Sequence, residues 1–277
     1  MTVYTGTAGF YYADWKGTFY PLGIRGRDML SEYARSFPVV EIDSTYYAVP
    51  KPEVFLSMAR RTPPEFLFNV KAYRELTHET GRAEAFDEFR KAIRPLEDHG
   101  KLGSILLQFP WAFKNTAESR NYLEGAAARL EALDTVIEFR HVSWQVKETF
   151  EMLDSLGLGY CCVDEPRLEG LMAPVTAVTG DVGYVRFHGR NAGNWWGKDR
   201  PAWQRYDYLY NEDELREWVP KVDDMSGKAD RVYVIFNNHY KGQAPANARA
   251  FERILRAELA GVDIAEGFEP GGGSLFE

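Results

Sequence analysis

The sequence predicts one closed (β/α)8 barrel of the TIM type, an α/β fold, and three observations carry it. Eight short runs rich in β-branched and aromatic residues alternate with stretches of helical periodicity from one end of the chain to the other. The length, 277 residues, is that of a barrel built from eight such units. Neither G-x-G-x-x-G nor a P-loop pattern occurs in the sequence, which argues against an open doubly wound nucleotide-binding sheet with the same alternation.

The expected strands are residues 2–6, 39–45, 66–72, 104–109, 135–140, 159–164, 183–188 and 232–237. Between them the apolar period changes from two to that of a helix. Leu30, Tyr33, Ala34 and Phe37 mark the first helical face, and Phe86, Phe89, Ile93 and Leu96 the third. Phe150, Leu153 and Leu156 form another, as do Phe251, Ile254, Leu255 and Leu259 near the end. The linker after the sixth strand, 165–181, carries Pro166, Pro174 and two glycines, so its helix is expected to be short, irregular or missing. One barrel domain is expected over 1–265, followed by a flexible C-terminal tail over 266–277.

A composition of 45% hydrophobic and 14% aromatic residues supplies one large core. The net charge of -8 repels nucleic acid and anionic membranes, although a local basic patch can override it. No apolar run reaches the roughly twenty residues of a membrane helix, and residues 1–7 lack the regions of a signal peptide. A cytoplasmic protein without a membrane partner is expected. Cys161 and Cys162 are adjacent within an apolar run and have no C-x-x-C spacing, so they read as small packing residues. No cofactor is expected, and the oligomeric state is not legible.

Chemistry concentrates in the stretch 136–144, VIEFRHVSW. Glu138 and Arg140 stand two apart in a run otherwise fit for burial, so both point to one side of a strand end. An ion pair there is costly to bury unless the strand opens into a wet, polar site. The same pattern recurs at the other strand ends: Glu41, Asp43 and Thr45; Asn69 and Lys71; Gln108; Asp164; Arg186 and His188; and Asn237, Asn238 and His239. In a closed barrel these residues share one mouth, where active sites of this architecture lie. Structural ion pairs account for part of the same pattern, with Glu138–Arg140 and Glu41–Arg186 as the candidates.

The connecting loops are aromatic where polar residues are the rule. The loop 189–210 contains Arg190, Trp195, Trp196 and Trp203 and has the composition of a lid, suited to stacking on flat rings or sugars and to gripping anions. Plugging the barrel top or making a subunit contact would use the same aromatics. After the eighth strand, glycine and Lys241 precede a helix starting near Pro245, a place where a phosphate could sit with Arg190 and Lys241 as countercharges. His188 and His239 with Glu41 or Glu138 would make a nitrogen and oxygen set for zinc, manganese or iron, although no spacing demands it. No G-x-S-x-G elbow or paired Cys–His motif points to nucleophilic hydrolysis.

Taken together, GTAGFYYADWKGTFYP, FPVVEIDSTYYAVP, FNVKAYRELTH, ILLQFP, IEFRHVSW, YVRFHGRN, YLYNEDEL and VYVIFNNHYKGQAPANA resemble the YecE-like family, also called domain-of-unknown-function family seventy-two. The likeness runs in order from Gly6 to about Leu259. It implies a TIM-type barrel and no settled activity. Its motif positions fall on Glu41, Lys71, His78, Gln108, Glu138, Arg140, Trp144, Arg186, His188, Asn237, Asn238 and His239, and only the resemblance gives His78 a claim.

These observations lead to an expected enzyme acting on an anionic or phosphorylated small molecule at the barrel mouth. Glu41 or Glu138 would act as general acid or base with His188 sharing the proton work. Lys71, Gln108, Arg140, Arg186, Arg190, Trp195, Trp196, Asn237, Asn238 and His239 would bind substrate, the cations neutralising developing charge. One rival is a nucleotide- or nucleic-acid-binding protein without catalysis, and another is a metal-dependent hydrolase or nuclease.

Overall fold

The computed structural model describes residues 1–196 and 202–268. Eight parallel strands form a ring: β1 (Thr2–Ala8), β2 (Val39–Ile42), β3 (Leu67–Lys71), β4 (Leu102–Gln108), β5 (Thr135–Glu138), β6 (Leu158–Asp164), β7 (Val182–Phe187) and β8 (Arg231–Phe236). They pair in chain order from β2 to β8. β1 then joins β8 on one side and β2 on the other, closing a (β/α)8 barrel. Most strand residues are buried, as expected of a parallel sheet covered on both faces. Closure is tight at Gly6, where a Cβ would lie 2.3 Å from the Val39 carbonyl oxygen, so only glycine lets β1 and β2 meet.

Each expected strand is present, with ends moved by no more than three residues. The largest change is in β2. Thr45 lies in a single 3-10 turn over Ser44–Tyr46 and donates its hydroxyl to the carbonyls of Ile42 and Lys71. The chain therefore bends after Ile42, and Asp43 and Thr45 do not continue the face that carries Glu41.

Helices α1 (Met29–Ala34), α2 (Pro52–Arg60), α3 (Glu84–Asp98), α4 (Ala117–Arg129) and α5 (Lys147–Ser155) follow β1 to β5 in turn. Residues 165–181 cross from β6 to β7 without a helix, as the two prolines foretell. The long connection after β7 ends in α6 (Glu212–Arg216) and α7 (Val219–Ser226), and α8 (Gln243–Glu258) follows β8. Apolar faces read from the sequence lie against the barrel: Leu30, Tyr33, Ala34, Phe86, Phe89, Ile93, Leu96, Phe251 and Leu255 are all buried. Among the described residues no helix is long and apolar enough to cross a membrane.

A short strand β9 (Asp263–Ile264) pairs with Thr2 and Val3, the part of β1 that lies below its pairing with β2. Beyond it Ala265 N donates to Val3 O and Phe268 N to Ala34 O, each at 2.9 Å. Barrel contacts thus extend past residue 265 to Phe268, and the rest of the expected tail, 269–277, lies outside the described residues.

Candidate active site

Two inward-facing positions of β7, Tyr184 and Arg186, and His188 just beyond it define the site's axis, because period two keeps all three on one face. Arg186 bridges two carboxylates from distant strands: Nη1 lies 2.6 Å from Glu138 Oε2 and Nη2 2.6 Å from Glu41 Oε1. Tyr184 donates its hydroxyl to Glu41 Oε2 at 2.8 Å and accepts from Asn69 Nδ2 at 3.2 Å. Space beneath is tight: a Cβ at Gly103 would lie 2.3 Å from Asn69 Oδ1 and 3.0 Å from the Tyr233 hydroxyl. Arg140, two residues after Glu138, reaches back to Glu138 Oε1 at 2.6 Å and across to Glu165 Oε2 at 3.0 Å. Both ion pairs foreseen from the sequence are present, joined into one network.

Burial and neighbouring charge divide these groups by proton affinity. Burial would raise the Glu138 carboxyl, but Arg140, Arg186 and His188 hold it well below the usual carboxylate range. Glu41, with one guanidinium against the same burial, stays raised. Glu165 is pushed by burial up to about 7 despite Arg140. Burial, with Arg140 next, lowers His188 to about 3, so its imidazole is neutral. Asn237 Nδ2 can only donate, and it lies 3.0 Å from His188 Nδ1. The imidazole proton therefore sits on Nε2, 3.3 Å from Glu138 Oε1. Lys71 is lowered to about 8 by burial and Arg186, against Glu138, Glu41 and Asp43.

Above the network is a cavity of about 240 Å³ whose wall includes Arg140, Arg205, His78, Gln108, Trp111 and Trp195. Nε of Arg140, Arg186 and Arg205 is buried in each case without a hydrogen-bond partner. The Trp195 ring neighbours two of these guanidiniums, at 6.0 Å from Arg140 and 5.6 Å from Arg205. Trp196, 52% exposed, meets Trp111 edge-on at 6.1 Å on the rim.

Of the residues singled out from the sequence, Glu41, Glu138, His188, Lys71, Arg140, Arg186 and Asn237 gather in the network or beside it. Gln108, Trp195 and Trp196 line the cavity above, and His78 joins them. His239 stands apart, stacked on Tyr12 at 4.7 Å, and the ring of Tyr206 neighbours both it and His188. Asn238 donates to Tyr208 O and Asn247 Oδ1, at 2.8 Å each, and so fastens the end of the β7 loop. Arg190 is bound to Asp164 and Glu217, away from the cavity. The start of α8 has its own hollow of about 260 Å³, lined by Lys241 and Arg249 and not by Arg190. Among the described residues no three His, Cys, Asp or Glu side chains converge as a ligand set. Residues 197–201 of the expected lid lie outside the described residues.

Sequence reasoning passed over Tyr184, Glu165, Arg205 and Tyr206. Tyr184 was within reach, since it stands two before Arg186 in the same run. Glu165 was masked by Asp164 beside it, and Arg205 by the aromatic loop around it.

An eight-stranded parallel barrel whose strand ends carry a charged network beneath an aromatic rim is a TIM-type barrel with its polar mouth at the C-terminal ends of the strands. The chain belongs to the family described as protein of unknown function DUF72, whose model matches residues 4–270. It is 30% identical to UPF0759 protein YunF of Bacillus subtilis over 94% of this chain and 97% of that protein. A DUF72 family protein of Thermotoga maritima superposes with a TM-score of 0.85 at 38% identity, covering 92% of this chain and 100% of the other. One from Enterococcus faecalis gives a TM-score of 0.83 at 29% identity, over 93% and 97%.

Proposed function

We propose that this protein is an enzyme acting on a small anionic molecule held at the barrel mouth. One observation carries the reading: the side chains of Arg140 and Arg205 line the same cavity, and each has a buried Nε–H with no acceptor. A buried donor left open costs about 1–3 kcal/mol, more when charged, and an anion in the cavity would recover it. Arg140 and Arg205 hold the anion. Glu138, kept ionised by its neighbours, is the strut that aims Arg140 and Arg186, and His188 Nε2 faces it at 3.3 Å. Glu41, whose raised proton affinity suits exchange nearer neutral pH, is the acid–base group. Incubating the protein with a panel of anionic metabolites, and following consumption by mass spectrometry, tests this. A substrate of the native chain should be consumed at least about a hundredfold more slowly by Glu41→Gln. Arg140→Met should raise its KM more than it lowers kcat. Equal turnover by a Glu41→Gln protein of unchanged melting temperature removes Glu41 from the chemistry.

A second reading is favoured by the rim. Trp111 and Trp196 are 40% and 52% exposed, and Lys114 Nζ lies 4.9 Å over the Trp111 ring, an arrangement suited to stacking a base. On this reading a nucleotide or single strand is bound without turnover. Its affinity would fall steeply between low and moderate salt, and no binding of oligonucleotides at low salt removes it.

A further inference from the structure

Lys71 is a member of the mouth whose charge no carboxylate pairs among the described residues. It ends β3, and its backbone is pinned by the Thr45 hydroxyl on its carbonyl. Its ammonium has neither a hydrogen bond nor an ion pair among the described residues. What it has is the face of Tyr46, 4.7 Å below. The side chain is only partly buried, so it stays reachable from the mouth. The same Tyr46 ring meets His78, on the wall of the anion cavity, edge-on at 5.0 Å, which ties Lys71 to that wall. His78 is lowered to about 4 by burial, then by the charges of Lys71 and Arg140.

We infer that Lys71 is a nucleophilic amine that forms an imine with the carbonyl carbon of a small anionic oxo compound seated at Arg140 and Arg205. Its substrate class rests on the anion seat proposed above. In the step, the free amine adds to the carbonyl carbon and the nitrogen gives up its two protons in turn. The carbonyl oxygen takes two protons and leaves as water, and C=N replaces C=O with no net oxidation or reduction. On this inference Glu41 of β2, the acid–base group proposed above, exchanges the protons.

Two features favour the amine over an ordinary surface lysine. No acceptor holds the charged form. Burial and the Arg186 guanidinium disfavour it, and together they bring Lys71 to about 8 against its ordinary 10.5. Opposing them are Glu138, Glu41 and Asp43, none of which makes an ion pair with it, and the face of the Tyr46 ring, which attracts the ammonium; neutral His78 stands nearby. At neutral pH the free-amine fraction is then larger than in an unperturbed lysine by roughly three hundredfold.

The test is reductive trapping of the full chain with pyruvate and cyanoborohydride at neutral pH, followed by peptide mass mapping. Lys71 should gain a carboxyethyl group at least about tenfold faster than any other lysine, and Lys71→Met, which breaks no hydrogen bond, should abolish that fast phase without loss of melting temperature. Labelling spread over surface lysines, with Lys71 no faster than the rest, overturns the inference. If Lys71 stays unlabelled while sulfate still raises the melting temperature in an Arg140-dependent way, the imine fails and the anion seat stands. If propanal labels Lys71 as fast as pyruvate does, and sulfate has no effect, the amine stands and the seat fails.

Discussion

Two buried charged clusters lie back to back on β6 and β7, and they differ in how completely their polar groups are answered. The outer one centres on Asp164. Its carboxylate accepts from Arg190 Nε and Nη2, the Tyr210 hydroxyl and Trp218 Nε1, at 2.7 to 2.9 Å. Arg190 in turn meets Glu217 at 2.8 Å, and Tyr210 accepts from Gly189 N at 2.8 Å. No polar side-chain atom of these residues is buried without a partner. The inner cluster, around Glu138 and Arg186, has more charge in less solvent yet leaves Arg140 Nε and Arg186 Nε open. A saturated cluster is a latch: it ties the β7 loop to β6 and to the α6–α7 corner. An unsaturated one is built to receive something, because a buried donor without an acceptor is otherwise only a cost.

The comparison is broken most directly at Asp164. Asp164→Ala strands a guanidinium, an indole N–H and a hydroxyl, and should destabilise the fold by about 3–5 kcal/mol in urea denaturation. A loss under about 1 kcal/mol would mean that the latch is not structural. At the mouth the balance should invert. Arg140→Met should lower affinity for a bound anion by roughly a hundredfold, the worth of a charged hydrogen bond or two, with a smaller change in stability. Calorimetric titration and a melting curve on the same variant check both halves. Next comes Trp218→Phe, which keeps an aromatic ring but removes one donor to Asp164 and part of a buried side chain. It should cost about 1–2 kcal/mol and leave anion affinity unchanged.

The smallest effect is a pH dependence. Burial raises Glu165 from 4.5 to about 7, so the folded chain retains a proton there that the unfolded chain has released. Between those values the native state binds more protons, and this contribution to stability falls as pH climbs from about 4.5 to 7. Glu165→Gln should therefore gain on the native chain across that window and run parallel to it above. Parallel curves throughout would show that Glu165 titrates normally.

The barrel was legible because its signals are local and repeated: runs of period two, faces of period 3.6, and prolines where a helix is missing. Much of the inner cluster was legible for the same reason, since Glu138 with Arg140 and Arg186 with His188 each stand two apart on a strand. What escaped depended on the third dimension. Asp164 and Glu165 are neighbours in sequence, yet alternation sends one to the latch and the other to Arg140, and nothing in the run Cys-Cys-Val-Asp-Glu says which faces the mouth. Arg190 and Arg205 both sit in the aromatic loop. Only the folded path takes the first to Asp164 and the second to the cavity. His239 looked equivalent to His188 at a strand end, but the bend after β8 turns it onto Tyr12.

The most direct test of the difference between the clusters is to soak crystals in selenate and map its anomalous signal. A peak within about 3 Å of the guanidiniums of Arg140 and Arg205, with none at Asp164 and Arg190, is the expected result. An empty mouth in crystals that bind selenate elsewhere would contradict the reading of open donors as an anion seat.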